Sequence, residues 1–411
     1  MDGTALQNAA GDLRLAKKKG RLRAREGVML ADVETAQPQS GLAQRVATRI
    51  IFFIAGLGMA AWAPLVPFAK ARVGIDDGVL GLLLLCLGGG SMVTMPLAGA
   101  FAARFGCRAV FTGSTLMLAA ALPLLASVTS LPLLVAALLV FGAGVGAMDV
   151  SMNIQAIIVE RHSGRSIMSG FHGLFSLGGI TGAAGVTALF AFGAGPLGAA
   201  LVVAAIVVAC LVVAFPYLLT YGSRSDGPAF AIPHGVVLFI GILCFITFLT
   251  EGAMLDWSAV FLTSVRDVTP DWAGLGYAAF AVTMTIGRLS GDRIVSRFGP
   301  RRVIVFGGIC AGCGLLLATF VPVPAAALAG FALVGVGCSN IVPVLFSSVG
   351  RQKVMPEAVA VPAITTLGYA GILVGPAAIG FIAHAASLPV AFAIVALLLF
   401  GVAVSAKRLD V

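Results

Sequence analysis

Four side chains in this sequence carry chemistry into stretches that are otherwise apolar. Asp149 follows Gly142 and Gly146 and precedes Asn153, a spacing of i, i+4, i+7 and i+11 that puts two glycines, a carboxylate and an amide on one helical face. His172 lies in the next apolar run, at nearly the same depth as Asp149 when both runs are read as helices rising ~1.5 Å per residue. Glu251 falls midway along a later run, ahead of Asp256 and Trp257, and Arg288 lies inside another, one helical turn before Asp292. A charge in such a segment costs several kcal/mol unless it is paired or hydrated, so its first reading is a solute pathway or a proton site. Asp149, His172 and Glu251 are accordingly expected to take part in proton coupling. Two plainer arrangements stay open: a hydrogen bond between Asp149 and His172 that fastens two helices, and an i, i+4 ion pair between Arg288 and Asp292.

Neutral polar groups extend the set. Asn153, Gln155, Ser176, Asn340, Thr365 and Tyr369 suit a hydroxyl-rich solute, although each alone is equally served by a backbone carbonyl on a neighbouring helix. Trp62 and Trp257 offer flat faces for stacking, against their common use as interfacial anchors. Pro64 and Pro67 interrupt the helix just after Trp62, which favours exposure of that indole to a cavity.

The elements that must position these residues are membrane helices. Of the 411 residues, 59% are hydrophobic and only 10% charged, and the mean hydropathy is +1.05, outside the range of soluble domains. Twelve spans are expected, near residues 48–69, 79–102, 108–127, 131–159, 166–192 and 196–220, then 234–264, 272–296, 302–321, 325–349, 357–385 and 387–406. This predicts an all-α polytopic membrane protein of two six-helix bundles. A basic tail, 1–47, precedes the first bundle, 48–221; a turn-rich linker, 222–233, precedes the second, 234–406, and 407–411 form a short tail.

The formal charge of +9 does not point to nucleic acid, because the basic residues mark topology. Lys70, Arg72 and Arg266 fall in loops on one side, Arg288 within a span, and all others in the tails and the loops on the other side, which places both termini in the cytoplasm. The seven cysteines lie mostly in apolar runs, where a thiol behaves as a small hydrophobe, and Cys310 and Cys313 are read the same way. No sequon, nucleotide loop, hydrolase motif or metal-ligand pattern is found; the glycines at 193, 195 and 198 mark a turn. No cofactor, no metal and no enzyme activity are expected.

The two halves repeat. Trp62, Asp76, Leu80 and Gly81 return as Trp257, Asp271, Leu275 and Gly276, and Arg104-Phe105-Gly106-Cys107-Arg108 as Arg297-Phe298-Gly299-Pro300-Arg301. Gly144-Val145-Gly146-Ala147-Met148-Asp149 matches Gly335-Val336-Gly337-Cys338-Ser339-Asn340, so Asn340 is the uncharged counterpart of Asp149.

With these motifs the chain resembles the major facilitator superfamily over its whole length after residue 47. It is most similar to the fucose-permease and rhizopine-transporter-like branches, through Trp62-Ala63-Pro64, Ser169-Gly170-Phe171-His172-Gly173, Tyr369-Ala370-Gly371 and Gly375-Pro376. The resemblance implies that spans 1, 4, 7 and 10 line a central cavity and that spans 3, 6, 9 and 12 face lipid. It implies gating roles for Arg104, Arg108, Arg288 and Asp292. Ala103 stands where the family usually carries an acid that helps hold the cytoplasmic side shut, so this side is expected to rest open.

The function expected is secondary active transport, proton-coupled symport of a sugar, polyol or related amino-compound, by a monomer in the bacterial inner membrane. Its partners are a small-molecule solute, protons and membrane lipid. Proton-driven efflux of amphipathic compounds, and a non-transporting receptor on the same scaffold, are the alternatives.

Overall fold

Proline and glycine set the boundaries of the helices in the computed structural model, which describes residues 41–75, 77–223 and 232–409. Asp76, most of the basic tail, residues 224–231 of the linker and the last two residues lie outside them. Among the described residues the chain is helical throughout, with no strand. α1 (Leu42–Ala60) begins inside the stretch expected as tail and stops short of Trp62, where Pro64 forces a 3₁₀ turn, Ala63–Leu65, ahead of α2 (Val66–Val73). α3 (Asp77–Ser127) is long enough for two spans and bends once, at Gly106, whose φ of 84° favours glycine.

α4 (Leu131–Ser163), α5 (Met168–Ala191) and α6 (Pro196–Ala214) complete the first half of the chain. α7 (Gly235–Arg266), the single turn Pro270–Ala273, α8 (Leu275–Phe298) and α9 (Pro300–Phe320) open the second. α10 (Pro324–Cys338) and α11 (Ile341–Val349) are one span interrupted at Ser339 and Asn340; α12 (Glu357–Ala385) and α13 (Leu388–Ser405) follow.

Among the described residues, ten helical segments are long and apolar enough to cross a membrane. Two places account for the difference from the twelve expected. Gly106 (φ 84°, ψ 160°) leaves the helical region between spans 2 and 3, but the two helices abut there without a loop and count as one segment. α8 has 24 residues but carries Arg288, Asp292, Arg293 and Arg297, too many charges for an apolar segment.

Close packing explains the glycines of span 4. A Cβ on Gly142 would collide with the Leu87 carbonyl oxygen, and one on Gly146 would press on Ser91, so α4 lies directly against α3. Ser91 Oγ donates to the Gly142 carbonyl at 2.7 Å, and Thr94 Oγ1 to that of Ala143 at 3.0 Å. The second half repeats the last contact, with Thr283 Oγ1 on the Ala332 carbonyl at 2.8 Å. The loop arginines repeat as well: Arg72 donates to the carbonyls of Leu125 and Val128, and Arg266 to those of Ala318 and Thr319. The sequence repeat is therefore a repeat of contacts. Outer faces of α6 and α13 expose Leu201, Ile206, Val213, Leu397 and Val404, apolar surface suited to lipid.

Because the collision at Gly142 is with backbone, no side chain can move aside. Gly142→Val should separate α3 from α4 and destabilise the protein by about 1–3 kcal/mol. A thermal melt of the purified variant checks this, with Gly113→Ala, where no atom lies near, expected to melt like wild type.

Candidate functional site

The polar residues within the spans gather into two clusters. The first surrounds Arg288, whose side chain is 7% exposed. Its Nη2 donates to Glu251 Oε1 at 2.9 Å in an ion pair, its Nη1 to Ser176 Oγ at 3.0 Å, and its Nε to the Ser339 carbonyl at 3.3 Å. One guanidinium thus joins α7, α8 and the break before α11 to α5 of the other half. Asn340 supports the break, donating from Nδ2 to the Gly287 carbonyl and to Ser339 Oγ, both at 3.0 Å. Gly287 and Gly291 allow this approach, since a Cβ on either would overlap Ser339 or Asn340.

The expected ion pair between Arg288 and Asp292 does not form. Asp292 Oδ1 instead accepts the Gly170 N–H at 2.8 Å, tying α8 to the start of α5. The carboxylate nearest in sequence points to the other half of the molecule, and Arg288 finds its anion on α7.

The second cluster is built on Asp149. Its Oδ1 accepts from Asn153 Nδ2 at 3.3 Å, its carbonyl accepts from the same amide at 2.8 Å, and among the described residues it makes no ion pair. A small pocket beside it is walled by Met59, Met152, Phe175 and Tyr369, which brings α1, α4, α5 and α12 together around one carboxylate. Phe248 meets Tyr369 edge to face at 6.4 Å. His172 is not bonded to Asp149; its ring lies between Phe52 (5.3 Å) and Phe346 (5.7 Å), an aromatic clamp across α1, α5 and α11.

Several of these side chains keep a buried polar atom with no partner: Trp62 Nε1, Asn153 Oδ1, His172 Nε2, Asn340 Oδ1 and Thr365 Oγ1. An orphaned buried group costs ~1–3 kcal/mol, so native proteins rarely retain one without a use. Trp62 itself is 5% exposed, so the cavity exposure expected for it is not present in this conformation.

Other candidates are committed elsewhere. Gln155 is fully buried, donating to Thr48 Oγ1 and accepting from the Leu219 N–H, both at 3.1 Å, and so joins α4, α1 and the end of the first half. Trp257 Nε1 donates to the Pro376 carbonyl at 3.1 Å, holding α7 to α12. Asp256 is exposed. Arg108 donates to the carbonyls of Pro216 and Leu218 and lies over Phe215, while Arg104 lies over Phe105; these contacts stay within the first half.

The end of the molecule carrying the turn Glu160–Arg165 and Arg351, here the basic end, is closed rather than open. Arg161 forms an ion pair with Glu357 and donates to the Gly350 carbonyl at 2.9 Å, and Ser223 Oγ donates to Glu357 Oε2 at 2.7 Å. Glu357 opens α12, where the helix dipole favours a negative charge. Glu357 thus brings a carboxylate of the second half onto Arg161 of the first. Neither Glu357 nor Arg161 has a sequence signal, because the two lie on different spans and neither belongs to a motif.

Residues 50–360 match the family model described as Major Facilitator Superfamily. The sequence is 56% identical over 370 residues to an uncharacterized MFS-type transporter of Yersinia pestis, covering 90% of this chain and 96% of that one. It is 38% identical over 341 residues to the membrane protein MosC of Rhizobium meliloti, covering 82% and 83%. Among solved structures, the Escherichia coli fucose:proton symporter FucP superposes with a TM-score of 0.72 over 90% of this chain and all of that one, at 18% identity, a likeness of fold.

Removing Glu251 alone strands the Arg288 charge. Glu251→Ala should cost about 3–5 kcal/mol. Glu251→Ala combined with Arg288→Met should recover most of that loss, read as melting temperatures in a double-mutant cycle; additive losses would show that the pair is not coupled.

Proposed function

The chain belongs to the major facilitator superfamily, and from that membership we propose that it is a proton-coupled secondary transporter that moves a small hydrophilic solute by alternating access. The solute class is a sugar, polyol or related amino-compound. The observation that carries this reading is a set of orphaned polar atoms buried within the spans: Asn153 Oδ1 beside the Asp149 carboxylate, Asn340 Oδ1 beside Ser339 in the Arg288 cluster, and Trp62 Nε1, His172 Nε2 and Thr365 Oγ1. A hydroxylated solute satisfies such atoms by donating and accepting in turn; an amphipathic one leaves them as they are. The fold likeness to a fucose:proton symporter agrees with this class.

The two carboxylates divide the work. Glu251 is held by Arg288, so its charge is compensated as long as the pair lasts. Asp149 has only an amide beside it, and its charge is best tolerated when a proton or a solute donor arrives. Proton and solute thereby enter one account of charge, the requirement for coupling. Tyr369 faces the Asp149 pocket from α12 and offers a hydroxyl and a ring to the solute. The basic end is the cytoplasmic one, so the chain is a multi-pass protein of the bacterial inner membrane, closed here on its cytoplasmic side by Arg161 and Glu357. Opening that side requires the Arg161–Glu357 pair, the Asp292 bond to Gly170 and the Arg288 bond to Ser176 to part.

Asp149→Asn keeps the shape of the side chain and removes its titration. In proteoliposomes the variant should lose solute-driven proton movement and uphill accumulation while retaining exchange of labelled solute for unlabelled. Proton movement equal to wild type would remove Asp149 from the coupling.

A further inference from the structure

A polar pocket opens between the two halves at the basic end, outside both clusters described above. Its walls are Glu160, Arg161, Arg165 and Ser166 from the end of α4 and the turn after it, and Ser347 and Arg351 from the end of α11. Three guanidiniums therefore share one pocket with one carboxylate. Arg161 is already engaged, by Glu357 and the Gly350 carbonyl. Glu160 is largely engaged too, since its Oε1 accepts the N–H groups of Ile167 (2.9 Å) and Met168 (3.1 Å) at the start of α5.

Arg165 and Arg351 are different. Their backbones are fixed: Ser163 Oγ accepts the Arg165 N–H and donates to its carbonyl, and the Arg351 N–H donates to the Ser348 carbonyl. Gly164, at φ 61°, makes the turn that presents Arg165. Both side chains are exposed, and among the described residues neither makes an ion pair or a side-chain hydrogen bond. Two like charges, one from each half, thus line a pocket that exists only while the halves are together. By themselves they oppose closure. An oxyanion between them reverses the sign, because each guanidinium presents a planar fork of donors that matches phosphate oxygens, with the Ser166 hydroxyl lining the same pocket.

We propose that this pocket binds a phosphate-class oxyanion between Arg165 and Arg351 and so fastens the two halves at the basic end. The binding itself does not depend on the transport reading. Its consequence, a slower opening of that end, rests on alternating access.

Calorimetry on the full chain in phosphatidylcholine nanodiscs, titrated with inorganic phosphate and, at matched ionic strength, with sodium chloride, tests the site without any transported solute. Phosphate should bind saturably and chloride should not. Arg165→Gln and Arg351→Gln should each weaken phosphate binding by about tenfold or more, the loss of a charge-assisted bidentate contact. Arg301→Gln, an exposed basic residue outside the pocket, should leave it unchanged. Melting curves without phosphate identify any variant that has lost its fold, for which Arg165→Lys and Arg351→Lys substitute, keeping the charge and losing the fork. A parallel series in nanodiscs containing phosphatidic acid separates sources: stabilisation by that lipid that disappears in both variants assigns the site to a headgroup, and stabilisation by free phosphate alone to a soluble anion. Absence of saturable phosphate binding together with no effect of either arginine on the lipid response overturns the proposal, as does equal weakening by Arg301→Gln.

Discussion

A guanidinium buried within the membrane spans must be compensated, and much of the interior is arranged to compensate Arg288. The cost of leaving such a charge bare exceeds any single packing contact in the molecule. Its three hydrogen bonds differ in strength and in where they lead. The bonds to Glu251 and the Ser339 carbonyl stay within the second half, and the first of them joins two charges. The bond to Ser176 reaches the first half and ends on a neutral hydroxyl. Of the three, only the bond to Ser176 would have to break for the halves to separate.

Asp149 occupies the contrasting position. Its repeat partner is Asn340, and both sit one turn or less beyond a glycine that lets α4 or α10 pack closely on its neighbour. The amide of Asn340 has become structural, holding a helix break through Gly287 and Ser339. The carboxylate of Asp149 has not, since its one side-chain partner is the neighbouring Asn153. Repeated contacts at Thr94 and Thr283, and at Arg72 and Arg266, show how closely the halves follow one plan. At this pair of positions the first half carries a carboxylate and the second an amide.

The sequence disclosed the membrane class, most of the helical segments and the break after Trp62, because each of these follows from local composition or from proline geometry. It misled on partners. Asp292 stands at the helical spacing that favours a pair with Arg288, yet Arg288 is matched by Glu251 and Asp292 by the Gly170 amide, choices settled by which helices lie alongside. Gln155 looked like a solute ligand and is consumed by Thr48 and the Leu219 N–H. Ala103 suggested an end that rests open, whereas in this structure Arg161 of the first half pairs with Glu357 of the second. Each of these depends on long-range packing, which no spacing within one helix encodes.

The central claim is that solute and proton movement are obligatorily linked through this buried polar region. The most direct measurement places the purified chain in sealed proteoliposomes with a pH-reporting dye inside and adds a panel of sugars, polyols and amino-compounds outside, with no imposed pH difference. One class of hydroxylated solute should enter and acidify the lumen, and a protonophore should abolish the pH signal without stopping entry down the gradient. Solute entry with no change in lumenal pH would contradict the account.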